Sequence, residues 1–139
     1  MKILFICTGN TCRSPMAEAM LRRILDKRGR QGIIVESAGL SANGMPAAEN
    51  AILAVREWDG EAVAYLAAHR SRNVTPTMMN TADIVAVMTP SHAEALGDPP
   101  GIVILAGGIP DPYGGGIEDY RRTLLLMESA LEEIANEIA

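Results

Sequence analysis

The sequence predicts an α/β fold in which a four-stranded parallel sheet carries helices on both faces. Four short segments are apolar throughout instead of alternating with polar residues, which is typical of parallel strands buried on both sides. Segments with helical spacing of apolar residues separate these strands along the chain, as the crossover connections of a parallel sheet require. Because ligands of such sheets bind beyond the carboxyl ends of the strands, the loop after the first strand is the first candidate site.

The strand, loop and helix at the start of the chain set up this candidate site. Residues 3–7 form an apolar run, which predicts the first buried strand. A tight loop follows, and residues 16–25 carry apolar side chains at helical spacing. Ser14 is a residue type that caps helix N-termini, and Pro15 fits the first helical position, where its missing N–H costs nothing.

The rest of the chain predicts three more strands, three more helices and one long loop. Glycine and proline make residues 107–116 a shaped loop that excludes helix or central strand, and residues 69–72 are expected to be irregular. From residue 117 onward, apolar side chains recur in steps of four and three, as in one stripe of a helix. The expected elements are strands at 33–35, 83–88 and 102–105, a turn at 37–39, and helices at 47–58, at 91–96 and from 117.

Length and composition limit the class of protein. A chain of 139 residues fits one domain, and we expect residues 1–139 to form a single unit. A hydrophobic content of 48% excludes a disordered chain, and an aromatic content of 4% predicts an aliphatic core. The net charge of −5 disfavours nucleic acid and membrane surfaces as partners, so any bound anion must be held by local geometry.

The cysteine count and the N-terminus indicate a compartment. Two cysteines cannot build a disulfide scaffold, and the first apolar run is too short for a signal peptide or a membrane span. We therefore expect free thiols and a cytoplasmic protein.

The loop from Cys7 to Ser14 combines a thiol with the features of an anion site. Backbone N–H groups at a helix N-terminus bind anions, and Gly9 and Asn10 are residue types that accept the positive φ of a curled loop. Arg13 can bind two oxygens of a phosphoryl group at once. The same positive field is expected to stabilise a Cys7 thiolate, which would place nucleophile and anion site in one loop.

Two other interpretations apply to this loop. Cys7 could be a small buried hydrophobic residue at the end of a strand, and the neighbouring loop argues against that interpretation. A nucleotide-binding P-loop also follows a first strand but ends in Gly-Lys-Ser/Thr. Lys2 and Lys27 are the only lysines, so that motif is excluded.

A second candidate group lies in the glycine-rich loop after the last strand. Phosphate transfer to a cysteine needs an acid for the leaving group and later a base for water, and Asp111 supplies a carboxylate at the correct end of the sheet. Its alternative is a turn or capping aspartate. Tyr113 is either a wall of the substrate pocket or a lid on the final helix, and Asp119 is a favourable charge at the start of that helix.

Residues 7–15 and the segment Asp111-Pro112-Tyr113-Gly114 resemble the low-molecular-weight protein tyrosine phosphatases, and the resemblance extends over nearly the whole chain. It implies a flavodoxin-like four-stranded parallel sheet and a cysteinyl-phosphate intermediate. Phosphorylated protein is the implied substrate, without cofactor or metal. Cys7 is the implied nucleophile, Arg13 binds the phosphoryl group and Asp111 is the general acid.

The resemblance also implies roles for neighbouring residues. Ser14 would hydrogen-bond the thiolate, and Cys12 matches a neighbouring cysteine that can form a reversible disulfide with the nucleophile. The implied phosphate- or substrate-binding residues are Thr8, Gly9, Asn10, Thr11, Cys12, Ser14 and Tyr113. The implied loop-supporting residues are Ser37 and His69, in a network with Asn10. The alternative for His69 is an ordinary hydrogen-bonded histidine without a role in supporting the loop.

Thr11 bears on the substrate. Tyrosine-directed members usually carry an aliphatic residue there, whereas protein-arginine phosphatases are similar to this chain in their Thr-Cys-Arg-Ser sequence. Met88-Thr89 followed by His92 also resembles the arginine-directed group, although Tyr113 stands where that group often has Phe. Phosphoarginine is therefore slightly favoured over phosphotyrosine. Arsenate reductases share a version of the loop, and a thiol-dependent arsenate reductase and a non-catalytic phosphate-binding module are the more distant alternatives.

Overall fold

The structure, a computed structural model, describes residues 1–138 and contains the predicted four-stranded parallel sheet, whose strands lie side by side in the order Ile34–Gly39, Lys2–Cys7, Ile84–Val87 and Val103–Ile104. Two short 3₁₀ helices, Gly60–Tyr65 and Leu105–Gly107, complete the regular structure of the described residues. The elements are β1 (Lys2–Cys7), α1 (Arg13–Lys27), β2 (Ile34–Gly39), α2 (Glu49–Trp58), α3 (Pro76–Thr81), β3 (Ile84–Val87), α4 (Pro90–Ala95), β4 (Val103–Ile104) and α5 (Ile117–Glu137).

Strand β1 is buried on both of its faces, which explains its uninterrupted apolar sequence. Ile3, Phe5 and Cys7 belong to the larger core, which also contains residues of α1, α2 and α5. Leu4 and Ile6 belong to a smaller core, against which residues of α3 and α4 pack. Alternate residues of a strand point to opposite faces. The sheet is therefore covered by helices on both sides, as predicted.

The strand order places the end of β1 at a switch point of the sheet. The chain passes from β1 to β2 on one side and later returns to β3 on the other side of β1. A crevice forms where consecutive connections leave in opposite directions, and ligands of open parallel sheets bind there. Cys7 is the last residue of β1, so its side chain lies at this crevice.

Two local predictions near this crevice are wrong. Helix α1 begins at Arg13 with Cys12 as its N-cap, so Ser14 lies within the first turn and is not the cap, and Pro15 is the third and not the first helical residue. The hydroxyl of Ser14 instead contacts the sulfur of Cys7. Strand β2 continues through the expected turn at 37–39, because its pairing with β1 extends to the pair Cys7 and Gly39.

Other elements agree with expectation or add to it. Helix α5 buries its predicted stripe from Tyr120 to Ile134, and residues 69–72 lie outside helices and strands. Helix α3 and the 3₁₀ helix Gly60–Tyr65 were not predicted, and β4 is shorter than predicted. Within residues 1–138, none of the helices has the length and apolar character needed to cross a membrane.

Candidate active site

The loop between β1 and α1 curls around the sulfur of Cys7. The backbone N–H of Asn10 points at Cys7 Sγ over 3.3 Å, and Ser14 Oγ lies 2.9 Å from the same sulfur. Cys7 is buried. The thiol is thus surrounded by hydrogen-bonding groups of its own loop, an arrangement that stabilises a negative charge on sulfur.

Asn10 holds the loop in this curled shape. Its φ of 56° lies in the left-handed region, which asparagine accepts more readily than most residues. Its buried amide nitrogen donates to Ser14 Oγ at 2.8 Å and to Ser37 Oγ at 3.0 Å. Its side-chain oxygen Oδ1 accepts from the backbone N–H of Arg72 at 3.0 Å. The backbone carbonyl oxygen of Asn10 accepts from His69 Nε2 at 2.7 Å. The structure therefore brings Ser37 and His69 to the loop through Asn10.

Gly39 allows β2 to pass directly against this loop. A Cβ atom at Gly39 would lie 2.6 Å from the carbonyl oxygen of Thr8, which is closer than real Cβ contacts. After Gly39 the chain follows the loop, because Leu40 N donates to Cys7 O at 3.0 Å and Ser41 N donates to Thr8 O at 2.9 Å. Gly9 lies in the loop between Thr8 and Asn10 and is partly buried. The positive φ expected of both Gly9 and Asn10 occurs at Asn10 and not at Gly9, so that part of the prediction is wrong. The absence of a side chain at Gly39 thus lets β2 lie in direct contact with the backbone of the loop.

Arg13 and Asp111 meet across the crevice. Arg13 NH1 donates to the carbonyl oxygen of Ile109 at 2.9 Å, and NH2 lies 3.5 Å from Asp111 Oδ2. Arg13 is buried, whereas half of the Asp111 side chain is exposed. Asp111 Oδ1 also accepts from the backbone N–H of Tyr113 at 3.0 Å. The guanidinium is thus fixed beside the loop, and the carboxylate that reaches it is open to substrate and water.

Thr11 and Tyr113 line a common cleft beside the loop. The cleft has a volume of about 400 Å³ and also contains Met45, Pro46 and Ala48 in its walls. Tyr113 is 74% exposed, and it also borders a second cleft with Asp119 and Arg122 of α5. Its position is compatible with a wall of the substrate pocket and with a contact to the final helix.

Cys12 faces away from this cleft into the core. Its sulfur lies 3.4 Å from the hydroxyl of Tyr120 and 3.7 Å from Thr11 Oγ1. Burial raises the pKa of the Cys12 thiol, and burial also raises the pKa of Tyr120. Both cysteines are free, and Cys12 is a buried thiol in the core.

Two residues that sequence reasoning did not place in the site contact it from outside the loop. His92 Nε2 lies 2.9 Å from Thr8 Oγ1, and Glu18 Oε1 accepts from Ser37 Oγ at 2.7 Å. The position of Glu18, one helical turn after Ser14 on α1, is a signal that could have found it. For His92 the signal in the sequence is the resemblance of Met88-Thr89 and His92 to the arginine-directed group. In the part of the chain that the structure describes, no three His, Cys, Asp or Glu residues cluster as a metal site would require.

Comparisons with known proteins agree with this geometry. Residues 2–139 match the family model described as low molecular weight phosphotyrosine protein phosphatase. The protein-arginine-phosphatase of Bacillus subtilis (strain 168) is 34% identical over 153 residues, with 99% of this chain and 97% of that relative covered. An arsenate reductase of Bacillus cereus (strain G9842) is 34% identical over 122 residues, with 86% of this chain and 83% of the relative covered.

A solved structure extends the likeness to three dimensions. The YwlE arginine phosphatase, in a cysteine-to-serine mutant with a phosphorylated active site serine, has a TM-score of 0.87 and 34% sequence identity. The alignment covers 99% of this chain and 95% of that chain. The family model matches nearly the whole chain and a solved structure shares its fold, and the chain therefore belongs to the low molecular weight phosphotyrosine protein phosphatase family.

Proposed function

We propose that this chain is a cysteine-dependent protein phosphatase that hydrolyses phosphorylated side chains, with phosphoarginine preferred over phosphotyrosine. The observation that carries the proposal is the position of Cys7 Sγ, inside a loop of N–H and hydroxyl donors and at the same edge of the sheet as Arg13 and Asp111. Nucleophile, anion-binding group and acid therefore share one crevice.

In the first step, the Cys7 thiolate attacks phosphorus while the bond from phosphorus to the leaving nitrogen or oxygen breaks. Asp111 gives its proton to the leaving atom, because its half-exposed side chain lies at the crevice beside the anion-binding Arg13, within reach of a bound substrate. Arg13 stabilises the charge on the phosphoryl oxygens. Its Nε is buried and has no acceptor among residues 1–138, which suits a donor used by a bound anion.

In the second step, water attacks the phosphorus of the cysteinyl phosphate and the bond from sulfur to phosphorus breaks. Asp111, now ionised, takes the proton of the attacking water. The sulfur leaves as a thiolate, to which the Ser14 hydroxyl donates. In the similar arginine phosphatase structure, the serine that replaces the active-site cysteine is phosphorylated, which supports attack from this position.

The preference for phosphoarginine rests on Thr11. Its hydroxyl belongs to the cleft beside Tyr113, where it can accept a hydrogen bond from a guanidinium N–H or orient a water molecule. A phenol ring offers no such donor. The similarity to a protein-arginine-phosphatase over nearly the full length supports the same preference.

The test compares phosphoarginine and phosphotyrosine peptides on the native chain and on Thr11→Ile. We expect the native chain to prefer phosphoarginine, and we expect the variant to shift towards phosphotyrosine. An unchanged ratio of kcat/KM values in the variant contradicts the role of Thr11. Cys7→Ser should abolish hydrolysis of a small aryl phosphate while phosphate still binds, and full activity in that variant would end the whole proposal.

Arsenate reduction is the second candidate, and the relative from Bacillus cereus favours it. That chemistry passes a disulfide along the chain through further cysteines, whereas this sequence contains only Cys7 and Cys12. An external thiol would have to resolve the intermediate. Arsenate-dependent consumption of thiol by the native chain would detect it.

We propose the cytoplasm as the site of action, because a reducing compartment keeps the nucleophile a free thiol.

A further inference from the structure

His92 contacts the curled loop, and the mechanism above does not use it. The ring lies in α4, which follows the carboxyl end of β3 and therefore starts at the same edge of the sheet as Cys7. Ile109 N donates to Met88 O, and this hydrogen bond joins the loop that carries Asp111 to the connection between β3 and α4. His92 is buried, whereas Thr8, its partner at 2.9 Å, is exposed beside the nucleophile.

The second ring nitrogen indicates which atom carries the proton. His92 Nδ1 is buried and lacks a hydrogen-bond partner within residues 1–138. A neutral imidazole has one N–H and one bare nitrogen, and a buried N–H without an acceptor is rarer than an acceptor without a donor. The proton therefore belongs on Nε2, where Thr8 Oγ1 accepts it.

The surroundings keep the ring neutral. Burial lowers the pKa of His92 most, the positive charge of Arg13 lowers it further, and Asp111 opposes these effects. A protonated ring would also place an N–H on Nδ1, where no acceptor is found among the described residues. His92 is therefore a neutral donor of fixed direction.

We propose that His92 is a positioning residue that fixes the Thr8 hydroxyl as a hydrogen-bond donor to a phosphoryl oxygen. When Nε2–H donates to Thr8 Oγ1, the hydrogen of the Thr8 hydroxyl stays available to another acceptor. No further partner of that hydroxyl is found within the described chain. Thr8 would then add a side-chain donor to the backbone donors of the loop. This inference rests on the proposed function, because it assumes that the loop binds a phosphoryl group.

The opposite tautomer would reverse the chemistry of the site. If Nδ1 carried the proton, Thr8 would donate to Nε2 and would turn two lone pairs towards the crevice. Such a hydroxyl would accept from a guanidinium N–H and would repel phosphoryl oxygens. The two cases therefore make different predictions for phosphate binding.

The first test reads the tautomer directly. Long-range ¹H–¹⁵N correlation spectra of the full chain, recorded with and without inorganic phosphate, distinguish a proton on Nε2 from one on Nδ1. His92→Gln assigns the signals. A proton on Nε2 in both states is the expected result, and a proton on Nδ1 overturns the inference.

The second test measures the affinity for inorganic phosphate and kcat and KM for an aryl phosphate in matched variants. Thr8→Val removes the hydroxyl, and His92→Leu removes the N–H that donates to it. We expect each variant to weaken phosphate binding about tenfold. Thr8→Ser keeps the hydroxyl, and His92→Gln keeps an N–H donor. The phosphate affinity of both variants should stay within about threefold of that of the native chain. The double variant with Val and Leu should be no weaker than either single variant, because the two residues act as one unit.

Each outcome separates this inference from the proposed function. Native phosphate affinity in Thr8→Val or His92→Leu, or additive losses in the double variant, overturns the role of His92. If the native chain binds phosphate but hydrolyses neither phosphopeptide, the proposed function fails, and the tautomer and the phosphate affinities still decide the present inference. Thr8 is exposed, so Thr8→Val remains folded and testable even if His92→Leu does not fold.

Discussion

Asn10 Nδ2 lies 2.8 Å from Ser14 Oγ, so an amide nitrogen that can only donate occupies a lone pair of the serine hydroxyl. The hydroxyl hydrogen is then available to Cys7 Sγ at 2.9 Å, with Ala38 O at 3.4 Å as the longer alternative. The asparagine therefore aims the serine hydroxyl at the nucleophile.

Ser14→Ala should lower kcat because the leaving thiolate loses this donor. A hydrogen bond to a charged group contributes about 1.5–3 kcal/mol, which corresponds to about a 10- to 150-fold loss of rate. Steady-state and single-turnover kinetics with an aryl phosphate measure the effect. The exposed Ser129→Ala on α5 is the control, and equal rates in the two variants would contradict the role of Ser14.

Gly39→Ala should displace the curled loop, because the added Cβ would lie 2.6 Å from Thr8 O. Overpacking of this kind costs about 1–3 kcal/mol, and we expect weaker phosphate binding together with a lower free energy of unfolding. Urea titration and phosphate titration test both effects. Gly60→Ala is the matched control, since a Cβ at Gly60 meets nothing within 4 Å.

Asp111→Asn should reduce hydrolysis according to the leaving group. Substrates whose leaving group needs a proton should lose about 10²- to 10⁴-fold in rate, whereas a strongly acidic phenol should lose much less. A series of aryl phosphates with phenols of different acidity provides the measurement. Asp119→Asn, which alters the carboxylate that accepts from Gly116 N, serves as the control and should not steepen this dependence. A uniform loss across the series in Asp111→Asn would argue against an acid role.

Asp59 should make the stability of the fold depend on pH in acid. Hydrogen bonds from Lys27 and Arg23, the larger from Lys27, hold the pKa of Asp59 at about 2 against the opposing effect of burial. Because the folded-state pKa is depressed, the stabilisation is fully present above about pH 4, the range of an unfolded aspartate, and is lost as pH falls towards 2.

Asp59→Asn is the variant that tests this dependence, because it keeps a capping side chain and removes the charge. The difference in free energy of unfolding between the native chain and the variant should be largest above pH 4 and should shrink towards pH 2. Denaturant unfolding across this range provides the measurement. A difference that does not change with pH would show that the ion pairs contribute nothing measurable.

The curled loop could be located from the sequence because its parts are contiguous. A buried strand, Asn10, Arg13 and the start of a helix follow one another, and each carries its own local signal. The cap prediction for Ser14 failed because capping statistics describe helix ends in general, whereas here the hydroxyl has a closer partner in Cys7. Local propensity does not include such a competing partner.

Contacts between distant parts of the chain could not be predicted in this way. Thr8 and His92 are 84 residues apart, and they meet because β3 lies beside β1. The length of β2 was underestimated for a related reason. Glu36 and Ser37 interrupt its apolar pattern, and the strand continues because its backbone pairs with β1 as far as Gly39.

The left-handed backbone of Asn10 has a thermodynamic consequence for ligand binding. Hydrogen bonds from β2, α1 and the segment around His69 hold this conformation, so the ordering entropy of the loop is spent when the chain folds. An arriving oxyanion then meets aligned donors and retains most of its interaction energy as affinity. Since only the folded chain presents these donors, the thermal midpoint of unfolding should rise with oxyanion concentration and report the occupancy of the loop.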